Sequence, residues 1–142
     1  MREIILSFFG SLLPAVLYNV NKKQFLWVGL AGVSGWVVYS MLNASINKVI
    51  IATFAGAVAV GIYSETMARV LKYPATVFSV AGMFPLVPGI GAYNTVQAIV
   101  ENKISDAAAI AVETVASAGS IAVGIMFASA LFRIFWRKKR ET

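Results

Sequence analysis

Charged residues divide this chain into long apolar runs. Residues 4–21, 24–47, 49–64 and 73–100 carry no charge, and 107–132 carry only Glu113. A helix crossing the hydrocarbon core of a bilayer needs roughly 17–25 residues, so each run is long enough, or nearly so, to span. The pattern predicts an all-α integral membrane protein with five transmembrane helices at about residues 4–20, 25–42, 49–64, 75–99 and 107–134. All 142 residues are read as one transmembrane domain, with no soluble domain and a basic tail at 135–142. Between the third and fourth spans, Met67, Val70 and Leu71 share a helical face with Arg69 and Lys72 beside them. This predicts a short interfacial helix over residues 65–73.

The fourth run contains a break. Met83-Phe-Pro-Leu-Val-Pro-Gly-Ile-Gly-Ala-Tyr93 places Pro85 and Pro88 where a regular helix would cross the membrane. Each proline removes a backbone donor and clashes with the preceding turn, while Gly89 and Gly91 weaken a helix and permit unusual backbone angles. An unpaired backbone group in hydrocarbon costs several kcal/mol, so the break requires cover from protein or a wet cavity. The alternative architecture is four spans with residues 75–93 as a re-entrant segment. Pro14 predicts a second, milder kink in the first span.

Composition agrees with the membrane reading: 59% of residues are hydrophobic and 18 of 142 are charged (12 basic plus 6 acidic), with a mean hydropathy of +0.79. The net charge of +6 does not point to nucleic acid, because the basic residues sit at the ends of apolar runs, where phospholipid headgroups explain them. Trp27, Trp36 and Trp136 fall where interfacial aromatic belts lie. Met1 to Asn21 has an apolar core but a minimal charged start and no convincing cleavage site, so it is read as the first span and not as a leader.

With five spans the termini face opposite sides. Lys22, Lys23, Arg69, Lys72, Arg133, Arg137, Lys138, Lys139 and Arg140 then fall on one side, and Arg2, Lys48 and Lys103 on the other. The positive-inside bias makes the first side cytoplasmic, placing the C-terminus in the cytoplasm and the N-terminus outward in a multi-pass cell (inner) membrane protein.

Little in the chain supports catalysis. There is no Cys or His, hence no thiolate or imidazole metal site and no imidazole acid-base chemistry, and no metal or cofactor is expected. Pro88-Gly-Ile-Gly91 lacks the third glycine and preceding strand of a dinucleotide fingerprint, and no Walker sequence occurs. Asn43-Ala-Ser45 matches a glycosylation acceptor, a pattern common by chance.

Transport fits better. The break supplies a new helix N-terminus near Tyr93 or Asn94, whose free N–H groups and positive dipole end favour an anion such as a carboxylate, the device that discontinuous helices of transporters use. Tyr93, Asn94 and Gln97 add polar groups there, the last two sharing a face. The substrate-binding and translocation candidates are therefore Pro85, Pro88, Gly89, Gly91, Tyr93, Asn94 and Gln97. Glu113 is the one acid flanked by apolar residues inside a predicted span, which makes it the candidate for proton coupling. The plainer alternative is a carboxylate at the outer interface, because residues 114–132 can span alone. Ala116, Ser120, Gly124 and Ala128 form a small-residue stripe for close helix packing, as do Ala31 with Gly35 and Ala52 with Gly56, within one subunit or against a partner chain.

Residues Val77 to Tyr93, above all the Pro-x-x-Pro-Gly-x-x-x-Tyr core at Pro85, Pro88, Gly89 and Tyr93, resemble the signature of the threonine/serine exporter family. Length, number of apolar runs and basic end resemble its short-subunit branch. The resemblance implies export of small amino or carboxylic acids such as threonine, serine or succinate, with two chains sharing a task that one longer chain performs elsewhere in the family. It secures no role for Glu113. An odd number of spans lets a second five-span unit lie inverted beside this one, with a site at the midplane, so a second membrane subunit of similar topology is expected, or else a homo-oligomer. The competing readings are a membrane scaffold or assembly subunit and a small channel.

Overall fold

The computed structural model describes residues 2–140, with the side chains of residues 2–134. The basic tail predicted at 135–142, including Trp136 and Arg137 to Arg140, lies outside the described side chains. Every regular element among the described residues is helical: α1 (Arg2–Leu17), α2 (Phe25–Ile46), α3 (Val49–Leu71), α4 (Ala75–Gly82), α5 (Gly89–Val100) and α6 (Ile104–Arg140). Single 3-10 turns at Lys22–Gln24 and Phe84–Leu86 precede α2 and join α4 to α5.

Among the described residues, three helical stretches are long and apolar enough to cross a membrane: Lys22–Ile46, Val49–Leu71 and Ile104–Ile134. The α4 and α5 segments, bent by 48°, make a fourth crossing if the pair is one span. At 16 residues, α1 reaches only about 24 Å at 1.5 Å per residue, less than a hydrocarbon core of about 30 Å.

The separate interfacial helix expected at residues 65–73 does not form. Instead α3 runs unbroken from Val49 to Leu71, since no proline or glycine interrupts residues 62–71. Within that last stretch Arg69 pairs with Glu65 at 3.2 Å, one turn back, and its guanidinium lies 4.7 Å from the Phe132 ring centre on α6.

Four helix ends turn through a left-handed residue, at Asn19, Asn47, Lys72 and Asn102. Asparagine tolerates this conformation better than most residues. At three of these ends the amide of the next residue returns to a carbonyl five positions back: Val20 to Ala15 (3.0 Å), Tyr73 to Ala68 (3.0 Å) and Lys103 to Ala98 (2.9 Å). These bonds satisfy orphan carbonyls that would otherwise face the membrane boundary.

The helices pack as a row, α1 on α2, α2 on α3 and α3 on α6, with α4 seated across α1, α2 and α3. Small residues set the spacing. A Cβ placed on Gly56 of α3 would lie 2.9 Å from the Gly35 carbonyl of α2, and one on Gly124 of α6 would lie 2.8 Å from both the Phe54 carbonyl and the Ala57 Cβ of α3. Bare backbones therefore meet at both crossings, as close van der Waals packing in a membrane requires. Two buried clusters result: Ala15, Val28, Phe78 and Ala81 where α4 enters, and Ala57, Val60, Leu86 and Ile121 beneath the break.

Candidate functional site

The two halves of the broken span diverge. While α4 lies among α1, α2 and α3, α5 packs chiefly on α6. Leu86 pins the break between them: it is 6% exposed, and its methyls lie 3.2–3.3 Å from where Cβ atoms of Gly35 and Gly56 would stand. The glycine crossing of α2 and α3 thus leaves the groove that holds the 3-10 turn, giving the irregular backbone its protein cover.

Where the halves part, a cavity of ≈ 480 Å³ opens, within the 300–1,000 Å³ usual for small-molecule sites. Its walls are the break from Pro85 to Gly91 with Asn94, Trp36 and Tyr39 of α2, Val49 and Thr53 of α3, and Ile110, Glu113, Thr114 and Ser117 of α6. Glu113 is the only acid there, and the lining contains no lysine or arginine.

Donors line one wall. No side chain caps α5. The Gly89 amide donates to the Val87 carbonyl at 2.8 Å and the Ala92 amide to Pro88 at 3.2 Å. The amides of Ile90 and Gly91 have no acceptor among the described residues, so they form the open positive end of the α5 dipole. Both glycines have ordinary negative φ, so the unusual backbone angles expected for them are not used. Their value is steric. A Cβ on Gly91 would collide with the Thr114 hydroxyl, whereas one on Gly89 would meet nothing within 4 Å. Gly91 lets α5 touch α6, and Gly89 leaves the cavity open above the free amides.

Acceptors come from α6 and α3. The Thr114 hydroxyl donates to Ile110 O at 2.7 Å and the Thr53 hydroxyl to Val49 O at 2.8 Å. With their protons held by backbone, both oxygens present lone pairs. The Glu113 carboxyl stands beside Thr114, nine residues into α6 and so about 14 Å along it from Ile104. One turn further on, Ser117 is 2% exposed and lines the cavity; the buried polar atoms without a partner among the described residues are instead on Gln24, Asn43, Tyr63 and Ser64.

Among the residues singled out from sequence, the fold brings Pro85, Pro88, Gly89, Gly91, Asn94 and Glu113 to this one cavity. Two others lie elsewhere. Tyr93 is 68% exposed on the outer face of α5. Gln97 donates to a Glu101 carboxylate oxygen at 2.9 Å, and Lys103 Nζ meets the other oxygen at 2.7 Å. In this turn outside the helices, the Lys103 hydrogen bond, followed by that of Gln97, holds the Glu101 carboxyl below its ordinary range.

In the small-residue stripe of α6, Gly124 and Ala128 are buried against α3, while Ala116 and Ser120 are half-buried. Trp36, Tyr39, Thr53, Thr114 and Ser117 were not anticipated as lining. A signal for two of them was present, since Thr114 adjoins Glu113 and Ser117 is one helical turn away.

A helical membrane chain with a broken span, whose break is covered by protein and borders a largely apolar cavity, has an architecture that discontinuous-helix transporters share. The family model described as Threonine/Serine exporter, ThrE, matches residues 3–131, and the chain belongs to that family. No solved structure matches it. It is accordingly a multi-pass membrane component of threonine/serine exporter type.

Proposed function

We propose that this chain is a half-transporter: one subunit of a secondary exporter that moves threonine, serine, succinate or a similar small acid out of the cell, with its substrate held in the cavity at the broken span. The observation that carries this reading is the meeting of the free α5 N-terminus with Glu113 and Ser117 in one cavity of a chain that belongs to an exporter family. Pro85, Pro88, Gly89, Gly91 and Asn94 form the binding wall, and Tyr93 and Gln97 serve the outer side of α5. Glu113 is also positioned for proton coupling. With the short α1 as a fifth span met by local thinning of the bilayer, the nine-to-three charge split puts the N-terminus outward and the C-terminus in the cytoplasm of the inner membrane.

A second membrane subunit of similar topology covers the rest of the site, with a further copy of this chain as the alternative. In support, the amides of Ile90 and Gly91 have no acceptor among the described residues, an arrangement that bare hydrocarbon penalises and a covering subunit relieves. The test is efflux from a strain deleted for this chain and complemented with it, together with purification under mild detergent. The expected result is restored efflux of threonine or serine and a second five-span protein in the purified complex. Transport by the purified chain alone, as a monomer in liposomes, would sink the half-transporter reading.

A further inference from the structure

We infer that Phe78 of α4 is the inward plug of the translocation path, and that beyond it the path is lined by Ser64 of α3 and Gln24 at the start of α2. The inference rests on the exporter reading above and gives the cavity its second opening.

The path follows one face of the broken span. Phe78, Gly82 and Leu86 stand at four-residue steps and occupy the groove between α2 and α3. Leu86 lies over Gly35 and Gly56 where it lines the cavity. One step on, a Cβ on Gly82 would stand 2.8 Å from the Ala31 Cβ and 3.0 Å from a Val60 methyl. Phe78 ends the series in a cluster with Val28, on which Met67 and Leu71 of α3 also pack. At 0% exposure it is the largest fully buried side chain among the described residues.

Polar atoms without partners gather around this plug. Ser64 follows Val60 by one turn of α3, which brings it level with Phe78, and Gln24 precedes Val28 by four residues. Ser64 is 1% exposed and Gln24 7%. Neither Ser64 Oγ nor Gln24 Oε1 has a hydrogen-bond partner among the described residues, and the hydroxyl of Tyr63 beside Ser64 has none either. Serines inside helices commonly donate to a carbonyl one turn back, as Ser7, Ser11 and Ser34 do. Ser64 keeps its hydroxyl uncommitted. Buried groups of this kind are costly and rare, and admitting water or a polar solute relieves them.

The connections of α4 allow it to withdraw as a unit. It has eight residues, and no side chain caps its start at Pro74. Left-handed Lys72 precedes it, and the 3-10 turn with Pro85 and Pro88 separates it from α5. Such element-terminal residues absorb the backbone changes of a hinge. Lys22, Lys23 and Lys72 border this end, which the charge split makes cytoplasmic.

The chain has no cysteine, so Ser64→Cys, an exchange of oxygen for sulfur, gives it a single thiol. Inverted membrane vesicles from the deletion strain complemented with the full chain present their cytoplasmic side to a small impermeant thiol reagent, and labelling is read on this chain. Phe78→Ala should speed labelling of Ser64→Cys about tenfold or more, because truncating a buried phenylalanine weakens the closed packing by at least that factor. Phe78→Leu takes its place if the alanine variant does not reach the membrane. Ala128→Cys, equally buried but between α6 and Gly61 of α3, should stay unlabelled in either background. Ser64→Ala should lower uptake of labelled threonine, serine and succinate about two- to tenfold at unchanged abundance and melting temperature.

Ser64→Cys unlabelled beside the Phe78 substitution, or Ala128→Cys labelled as fast in that background, would overturn the inference and leave the exporter reading intact. So would faster labelling of Ser64→Cys from the outer side, in intact cells, or wild-type uptake in Ser64→Ala. Wild-type vesicles that take up none of the three compounds beyond the deletion strain would overturn the exporter reading itself, and the inference with it.

Discussion

Replacing Gly89 separates occupation of the cavity from the stability of the fold. A Cβ on Gly89 meets nothing within 4 Å and Gly89 is exposed, so a side chain can start there without a backbone clash, and stability should stay within about 0.5 kcal/mol of wild type. Because Gly89 lines the cavity next to Ile90 and Gly91, the four-carbon side chain of a leucine there is expected to take up space beside their free amides. If a substrate carboxylate uses them, losing one charge-assisted hydrogen bond removes about 1.5–3 kcal/mol, or roughly 10- to 150-fold in binding. Gly89→Ala adds one methyl, leaves both amides open and should keep efflux close to wild type. The assay is threonine efflux from preloaded cells of the complemented deletion strain, normalised to chain abundance in the membrane fraction and paired with the melting temperature of the purified complex. Gly89→Leu should lose efflux without losing abundance or melting temperature. Wild-type efflux in that variant would refute carboxylate binding at the α5 N-terminus, and an equal loss in Gly89→Ala would show that glycine's backbone, not the space above it, is what matters.

Packing and topology give two further predictions. At Gly124 a methyl would stand 2.8 Å from the Phe54 carbonyl and the Ala57 Cβ, while at Gly119 it would meet nothing within 4 Å. Overpacking costs about 1–3 kcal/mol, so Gly124→Ala should melt about 3–10 °C below Gly119→Ala; equal melting temperatures would mean that α3 and α6 are not in fixed close contact. Because the chain has no cysteine, Lys72→Cys and Lys103→Cys report sidedness through an impermeant thiol reagent on intact cells. Five spans predict labelling of the residue-103 variant and protection of the residue-72 variant, whereas equal accessibility of the two would establish the re-entrant arrangement.

Local chemistry made much of this protein readable in its sequence. Charge exclusion from hydrocarbon marks α2, α3 and α6, because the near absence of charge along an apolar run, broken in α6 only by Glu113, is decided residue by residue. The break is equally local: Pro85 and Pro88 cannot complete a helical ladder whatever surrounds them. Other local signals were missed. Asn19, Asn47 and Asn102 mark three of the helix ends through their tolerance of left-handed backbone. The amphipathic pattern of residues 65–73 reads as a separate interfacial helix, although no proline or glycine stands between Ile62 and Leu71 to end α3.

What only the tertiary structure decided is where the two halves of the break go and what meets them. Gly35 and Gly56 are small residues on separate helices in sequence; folded, they form a crossing close enough to leave Leu86 a groove. That anchors one side of the break while Gly91 carries the other onto Thr114. This convergence, and not any spacing along the chain, brings Glu113 and Ser117 of α6 to the cavity that begins at Pro85. Sequence determines which residues cannot lie in a regular membrane helix, because that cost belongs to each residue alone. Which polar groups then face one another depends on how closely backbones approach at helix crossings, a property of residue pairs that only the fold brings together.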